Sequence, residues 1–199
     1  MKYRNIVFDF GNVVGQFNAP KILGHFCDSK EDYELLASVI YPNWLDLDRG
    51  IIDYEENIEE CVSKVPERLA ETVRTFFHEW PDQVLPVEST GRLIRELQEK
   101  NVPLYLLSNA STYFAEWAEK SDFLKGFSGI VFSAPLKLAK PDPAIYRYLF
   151  EKYSLRPEEC FFIDDLPANI ETGRKLGMNG IVFKGDIDEV KSAIGFSSP

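Results

Sequence analysis

The chain has 199 residues, of which 45% are hydrophobic and 14% aromatic, a composition that is typical of a folded domain and excludes a largely disordered chain. Its 32 acidic and 22 basic residues give a formal net charge of −10, which disfavours nucleic acid and anionic membranes as partners. The N-terminal apolar run is short and ends at Asp9, so it predicts neither a signal peptide nor a membrane span. Three widely spaced cysteines, Cys27, Cys61 and Cys160, indicate reduced thiols in a cytoplasmic protein.

Five short apolar runs have the near-continuous hydrophobicity of strands that are buried on both faces of a parallel sheet. They occupy residues 6–8, 102–107, 130–132, 161–163 and 181–183. Helical patterns lie between the later runs, at residues 89–100, 142–153 and 167–176. Asp142 is placed to cap the second of these helices, and Gly177 to end the third. The alternation predicts an α/β fold, a doubly wound Rossmann-like parallel sheet.

Residues 15–84 interrupt this alternation, because about 90 residues separate the first two predicted strands where a βαβ unit needs only about 30. Within them, apolar side chains recur at helical spacing over residues 33–39, 54–62 and 69–77. Loops are expected at Pro42–Asn43, Gly50 and Pro66. We therefore expect a helical cap domain, residues 15–84, inserted after strand one of a core formed by residues 1–14 and 85–199.

Polar side chains follow three of the predicted strands, at the edge of the sheet where open α/β folds bind ligands. They are Asp9 after the first strand, Ser108 and Asn109 after the second, and Asp164 and Asp165 after the fourth. Each alone has an ordinary alternative as a strand-end, helix-capping or turn residue. Two adjacent carboxylates at the end of a buried strand, however, repel each other unless a divalent cation relieves the repulsion.

Lys140 precedes Pro141 and stands at the start of a predicted helix. A loop lysine is ordinarily solvated, but here prolines fix its position beside a helix N-terminus, which attracts anions. Oxygen ligands without a histidine or cysteine cluster favour Mg²⁺ over zinc or copper. An aspartate beside Mg²⁺ and a lysine is suited to forming an aspartyl-phosphate intermediate.

These four sites, in this order, resemble the four motifs of the haloacid dehalogenase superfamily, and the resemblance extends over essentially the whole chain. The motif segments are FDFGNVV at residues 8–14, LLSN at 106–109, KPDPAIY at 140–146 and FIDDLPANI at 162–170. The helical insertion resembles the mobile cap of the subfamily that carries it after strand one. The first and last motifs resemble those of bacterial α-D-glucose-1-phosphate phosphatases, and the last is also similar to that of the phosphatase domain of soluble epoxide hydrolase.

The resemblance implies a metal centre and a nucleophile. Asp9 would attack phosphorus and also bind Mg²⁺. The carbonyl of Gly11 and the carboxylate of Asp165 would complete the protein's share of the metal ligands, with Asp164 close by.

The resemblance also implies the groups that hold the substrate. Ser108 and Asn109 would bind the phosphoryl oxygens, while Lys140 would pair with the nucleophile and the phosphate. Arg49, at a helix break in the predicted cap, is a further substrate-binding candidate, with a solvated surface arginine as the alternative. Trp44 beside the same loop is expected to pack within the predicted cap, with stacking on a sugar ring as the alternative.

Gly11 departs from the commonest pattern of the superfamily, in which a second aspartate stands two residues after the nucleophile and acts as general acid and base. Such a group contributes about 10²–10⁴-fold to the rate. We therefore expect turnover to depend strongly on the acidity of the leaving group, so that a sugar 1-phosphate outruns the corresponding 6-phosphate.

The function implied is a Mg²⁺-dependent phosphohydrolase that acts as a monomer on small phosphorylated metabolites, sugar phosphates such as glucose 1-phosphate being favoured. A 2-haloacid dehalogenase uses the same aspartate without a metal, and the Asp164–Asp165 pair disfavours it. A response-regulator receiver carries its acidic pair after the first strand, the reverse of the order here. A non-catalytic binding protein on this scaffold stays open because of Gly11.

Overall fold

The computed structural model describes residues 1–196. Within them, the strands are β1 Asn5–Phe8, β2 Gly15–Gln16, β3 Leu85–Pro86, β4 Leu104–Ser108, β5 Gly129–Phe132, β6 Cys160–Asp164 and β7 Asn179–Val182. The first five α-helices are α1 Ala19–Gly24, α2 Lys30–Ile40, α3 Trp44–Asp48, α4 Tyr54–Ser63 and α5 Glu67–Glu79. The others are α6 Glu88–Glu99, α7 Thr112–Lys120, α8 Pro143–Tyr153, α9 Pro167–Lys175 and α10 Ile187–Ile194.

The central sheet contains five parallel strands in the order β5-β4-β1-β6-β7. Every residue of β1, β4 and β6 is buried, as their continuous apolar sequences predicted. Ile6 and Phe8 of β1 pack into one hydrophobic cluster with α6, α7 and α10, whereas Val7 packs into a second cluster with α8 and α9. Helices therefore cover both faces of the sheet, which confirms the predicted doubly wound α/β fold.

Two helix-terminus signals act as predicted. The Asp142 side chain accepts a hydrogen bond of 2.8 Å from the backbone N–H of Ala144, so it caps α8. Gly177 follows α9 and has a φ of +93°, a conformation that other residues rarely adopt.

Helices α1 to α5 form a helical segment, residues 19–79, that lies in the sequence between β2 and β3. The three amphipathic stretches are helices α2, α4 and α5, as predicted. The expected loop at Pro42–Asn43 is instead a 3₁₀ turn that runs directly into α3, because proline is compatible with the first turn of a helix. β2 and β3 pair antiparallel, so the chain leaves and re-enters the core through adjacent strands.

The helical segment contacts the core through aromatic side chains. The ring of Tyr54 in α4 stacks on Tyr113 in α7 with 4.9 Å between centroids. Trp80, which directly follows α5, stacks on Phe114 of α7 with 5.0 Å between ring centroids, and its indole N–H donates to the Tyr54 hydroxyl at 3.0 Å. These apolar contacts extend one hydrophobic cluster from the core into the helical segment.

The three cysteines are unpaired thiols, as expected from their spacing. Burial raises the pKa of Cys61 and that of Cys160 to about 11, so both stay protonated at neutral pH. Among residues 1–196, no helix has both the length and the apolar character that crossing a bilayer requires.

One packing constraint of the sheet can be tested at Gly129 in β5. A Cβ at this position would lie 2.6 Å from a ring carbon of Tyr153, whose hydroxyl is fixed by hydrogen bonds to the N–H and C=O of Ile130. The ring cannot move aside without breaking those bonds. We expect Gly129→Ala to lower the free energy of unfolding by about 1–3 kcal/mol, measured by urea denaturation.

The matched control is Gly91→Ala in α6, where the added methyl group approaches only the flexible side chain of Arg95, at 3.6 Å. Alanine is the better helix former by about 0.5–1 kcal/mol, so this variant should be slightly stabilised. Equal unfolding midpoints for the two variants would contradict the packing argument.

Candidate active site

The register of the sheet aligns the ends of three strands. Phe8, the last residue of β1, pairs with Leu106 of β4 and with Ile163 of β6. The backbone N–H of Asp9 donates to the Ile163 carbonyl at 2.9 Å, which continues the ladder by one residue. Asp9, Ser108 and Asp164 thus lie together at the carboxyl edge of the sheet, where this fold class binds ligands.

A buried lysine bridges two of these strand ends. The Lys140 ammonium group lies 2.8 Å from Asp9 Oδ1 and 2.7 Å from Asp164 Oδ2, and all three residues are at most 7% exposed. Burial raises the pKa of Asp9 to about 6, although the Lys140 charge acts in the opposite direction. Burial also favours the neutral amine of Lys140, but the two carboxylates outweigh it and raise the pKa of this lysine.

Both carboxylate oxygens of Asp164 accept hydrogen bonds from neighbouring residues. Its two oxygens accept hydrogen bonds of 3.0 Å from the Asn169 amide, and Oδ1 also accepts from the Leu166 N–H at 2.8 Å. Tyr146 donates to the Asn169 carbonyl at 2.9 Å and so fixes the start of α9. Asp164 is therefore held rigidly and orients the Lys140 ammonium group.

Asn109 fixes the backbone of the lysine loop. Its amide nitrogen donates to the Lys140 carbonyl, and its amide oxygen accepts from the Lys140 N–H, both at 2.8 Å. Asn109 also lines the cavity, and these two bonds use its amide oxygen and one of its two amide N–H groups. The preceding residue, Ser108, also lines the cavity and is 2% exposed. It is the candidate hydroxyl donor at this strand end.

Three carboxylates provide candidate metal ligands. One oxygen from each of Asp9, Asp164 and Asp165 lies within 4.8 Å of the others. Asp165 is half-buried and accepts a hydrogen bond of 3.1 Å from the Asn12 side chain. Lys140 and the Phe10 N–H both contact Oδ1 of Asp9, so neither of these donors occupies its Oδ2. The donor set, carboxylates with no histidine or cysteine, fits Mg²⁺.

A cavity of about 370 Å³ opens above these residues, between the core and the helical segment. Five of its lining residues are aromatic: Phe10, Phe17, Trp44, Trp80 and Phe114. Trp44 lies 5.7 Å from Phe17 and 5.1 Å from Trp80, measured between ring centroids. Two exposed leucines, Leu45 and Leu166, also line it. The cavity therefore combines an anionic floor with an apolar wall.

Asp48, the last residue of α3, also lines this cavity. Burial raises its pKa to about 7; the backbone N–H of Ser111 acts in the opposite direction, and the charge of Asp9 adds to the increase. The Ser133 hydroxyl donates a hydrogen bond to the Asp48 carbonyl, which ties this turn of the helical segment to the core. Asp48 is thus a half-buried carboxyl group close to the predicted nucleophile.

The structure brings most of the predicted residues together. Asp9, Gly11, Ser108, Asn109, Lys140 and Asp165 line one cavity, and the buried Asp164 contacts Lys140 directly. Arg49 is not among the lining residues, because its exposed guanidinium group points to Asp46, 4.0 Å away. Asp48, its immediate neighbour, was missed by the sequence analysis, although it carries a carboxylate at the same helix end.

The sequence profile of the haloacid dehalogenase-like hydrolases matches residues 3–177. Two curated relatives match over most of their length. The sesquiterpene phosphatase astK of Aspergillus oryzae is 24% identical over 181 residues, which cover 90% of this chain and 89% of that protein. The D-ribitol-5-phosphate phosphatase of Bacteroides thetaiotaomicron is 24% identical over 193 residues, which cover 87% and 88% of the two chains.

A crystal structure shares the fold. The wild-type HAD family enzyme bt-2542 of Bacteroides thetaiotaomicron, in complex with magnesium and inorganic phosphate, superposes with a TM-score of 0.72 at 22% identity. The alignment covers 94% of this chain and 98% of that chain. Because the family profile extends over most of the sequence, this chain belongs to the haloacid dehalogenase-like hydrolase family.

Proposed function

We propose that this hydrolase cleaves small phosphate monoesters with the help of Mg²⁺ and a covalent intermediate on Asp9. The observation that supports this proposal is the cluster of Asp9, Asp165 and the Lys140–Asp164 pair at one end of the sheet. The relatives include two named phosphatases, and a structural neighbour holds magnesium and phosphate.

Each group would have one role in the reaction. The Asp9 carboxylate attacks phosphorus, the ester P–O bond breaks, and water then hydrolyses the aspartyl-phosphate. Lys140 holds Asp9 in position and contacts the phosphoryl group, while Ser108 donates its hydroxyl to a phosphoryl oxygen. Asp9 and Asp165, with the Gly11 carbonyl as predicted, would hold Mg²⁺, which neutralises charge on the phosphoryl group.

We further propose that residues 15–84 act as a cap over this cavity. Trp44, Leu45 and Asp48 come from the helical segment, whereas the nucleophile and the lysine come from the core. A substrate enclosed between them would be shielded from water during phosphoryl transfer. The paired strands β2 and β3 are the proposed hinge, because both connections to the helical segment pass through them.

Sugar phosphates, among them glucose 1-phosphate, are the proposed substrates. Support comes from the motif resemblance and from the relative named for D-ribitol 5-phosphate. Trp44 and Phe17 present rings on which the apolar face of a sugar can pack. Because Asp9 and Lys140 belong to the core and Trp44 to the helical segment, the phosphate would point to the core and the sugar to the proposed cap.

The apolar wall also favours a second candidate, a phosphate ester of an aliphatic alcohol. Leu45 is 67% exposed and Leu166 is 54% exposed, and both line the cavity. Apolar side chains so exposed beside a cavity are suited to an apolar ligand. The relative named as a sesquiterpene phosphatase is in keeping with this second candidate.

The nucleophile is tested by Asp9→Asn, which removes the attacking carboxylate while keeping the volume of the side chain. We expect phosphate release from an aryl phosphate to fall by at least about 10³-fold, the scale of losing a covalent catalytic group. The control is Asp46→Asn, because Asp46 is a half-exposed carboxylate outside the cavity. Retained activity in Asp9→Asn would contradict the mechanism.

Mg²⁺ binding is expected to depend on pH. As the pH falls through about 6, Asp9 gains a proton that competes with the cation, so the affinity at pH 5 should be about tenfold below that at pH 7. Asp165→Asn should weaken Mg²⁺ binding at both pH values. Isothermal titration calorimetry with MgCl₂ measures these affinities without reference to activity, and an affinity unchanged by pH and by Asp165→Asn would exclude this metal site.

The substrate class is tested by measuring kcat/KM with Mg²⁺ for glucose 1-phosphate, glucose 6-phosphate, an aliphatic monophosphate of terpenoid size and 2-chloropropionate. We expect a sugar phosphate to give the highest value, and Trp44→Ala to raise its KM. A preference for the aliphatic ester would support the second candidate. Release of chloride from 2-chloropropionate without metal would contradict both and indicate a dehalogenase.

A further inference from the structure

The position two residues after the nucleophile lacks a proton donor. Gly11 lines the cavity, and a Cβ built on it would have no atom within 4 Å. Its backbone is outside the positive-φ region, so a side chain is sterically possible there. The proposed hydrolysis nevertheless needs a group that protonates the leaving oxygen and later activates water.

Asp48, the last residue of α3, lines the same cavity. It is a carboxyl group of the helical segment, and it is close enough to Asp9 for the two charges to interact. The nearby guanidinium of Arg49 is directed to Asp46. Within residues 1–196, no basic side chain forms an ion pair with the Asp48 carboxyl group, which accepts a hydrogen bond from the Ser111 N–H and lines the same cavity as the nucleophile.

The backbone around Asp48 is fixed to the core. The Ser133 hydroxyl donates to the Asp48 carbonyl and accepts from the Ala110 N–H at 2.9 Å. Gly50 has a φ of +65°, and a Cβ on it would lie 3.0 Å from the carbonyl carbon of Ala134. This close approach of the two backbones holds the end of α3 against the loops that follow β4 and β5.

We propose that Asp48 is the general acid and base of this enzyme, and that it supplies from the helical segment the function that Gly11 lacks. The inference rests on the proposed phosphatase function. It replaces the expectation that the wild-type enzyme depends unusually strongly on the acidity of the leaving group.

The proton balance is complete with Asp48 alone. As Asp9 attacks phosphorus and the ester P–O bond breaks, the Asp48 carboxyl group gives its proton to the leaving oxygen, which departs as an alcohol. The Asp48 carboxylate then takes a proton from the water that attacks the aspartyl-phosphate. Inorganic phosphate leaves, Asp9 is regenerated as a carboxylate, and Asp48 is again protonated. The half-buried position of Asp48, near Asp9 and Tyr54, supports this cycle because it favours the protonated form at the outset.

The experiment measures kcat/KM for aryl and alkyl phosphates of graded leaving-group pKa in wild type, Asp48→Asn and the control Asp46→Asn. A leaving group such as 4-nitrophenol needs no protonation, whereas a sugar alcohol does. We expect Asp48→Asn to lose about 10²–10⁴-fold with alkyl phosphates and little with 4-nitrophenyl phosphate. The slope of log kcat/KM against leaving-group pKa should therefore become steeper, and Asp46→Asn should match the wild type.

Gly11→Asp provides a second measurement, because a rate that it rescues would show that Asp48→Asn is folded. Combined with Asp48→Asn, it should restore part of the rate lost with alkyl phosphates, since it puts a carboxyl group where the commonest pattern of the superfamily has one. An equal loss on all leaving groups in Asp48→Asn, or a large gain from Gly11→Asp alone, would overturn the assignment of Asp48. A wild-type enzyme that releases phosphate from no ester would overturn the proposed function itself, and this inference with it.

Discussion

The candidate site depends on one buried ammonium group between two carboxylates. Lys140 contacts Asp9 and Asp164, and loss of one member of such a group typically costs about 3–5 kcal/mol because a charge is left uncompensated. Together with Asp165, the carboxylates exceed the ammonium by two negative charges, which one divalent cation would balance. A cation is therefore needed before an anionic ester can approach, all the more because the whole chain carries a charge of −10.

The sheet could be predicted from the sequence because its strands are buried on both faces and consist of nearly uninterrupted apolar residues. The strands β2 and β3 could not, because each has two residues and no measurable alternation. The residues at Pro42–Asn43 predict a loop, since a short 3₁₀ turn between two helices has the same residue preferences as a loop. Helices α7 and α10 were also not identified, although both are amphipathic in the structure.

The site residues at strand ends were predictable because the topology of a parallel sheet places those ends side by side. The contribution of the helical segment was not, since α3 has only five residues and successive positions on a helix point about 100° apart. Two residues that are adjacent in the sequence, the exposed Arg49 and the cavity-lining Asp48, therefore differ in their access to the cavity. Likewise, the two bonds between Asn109 and the Lys140 backbone depend on a contact across 31 positions that no local pattern encodes.

The close approach of Gly50 to Ala134 has a consequence for substrate discrimination. Asp48 lies two residues before Gly50, so a movement of α3 that separates Gly50 from Ala134 also withdraws the Asp48 carboxyl group. On the proposed assignment, an ester too bulky to be enclosed would still reach Asp9 and Lys140 but would find no proton donor. Selection against such an ester would then appear as a low kcat and only weakly as a high KM, because the cap contributes a reacting group as well as binding surface.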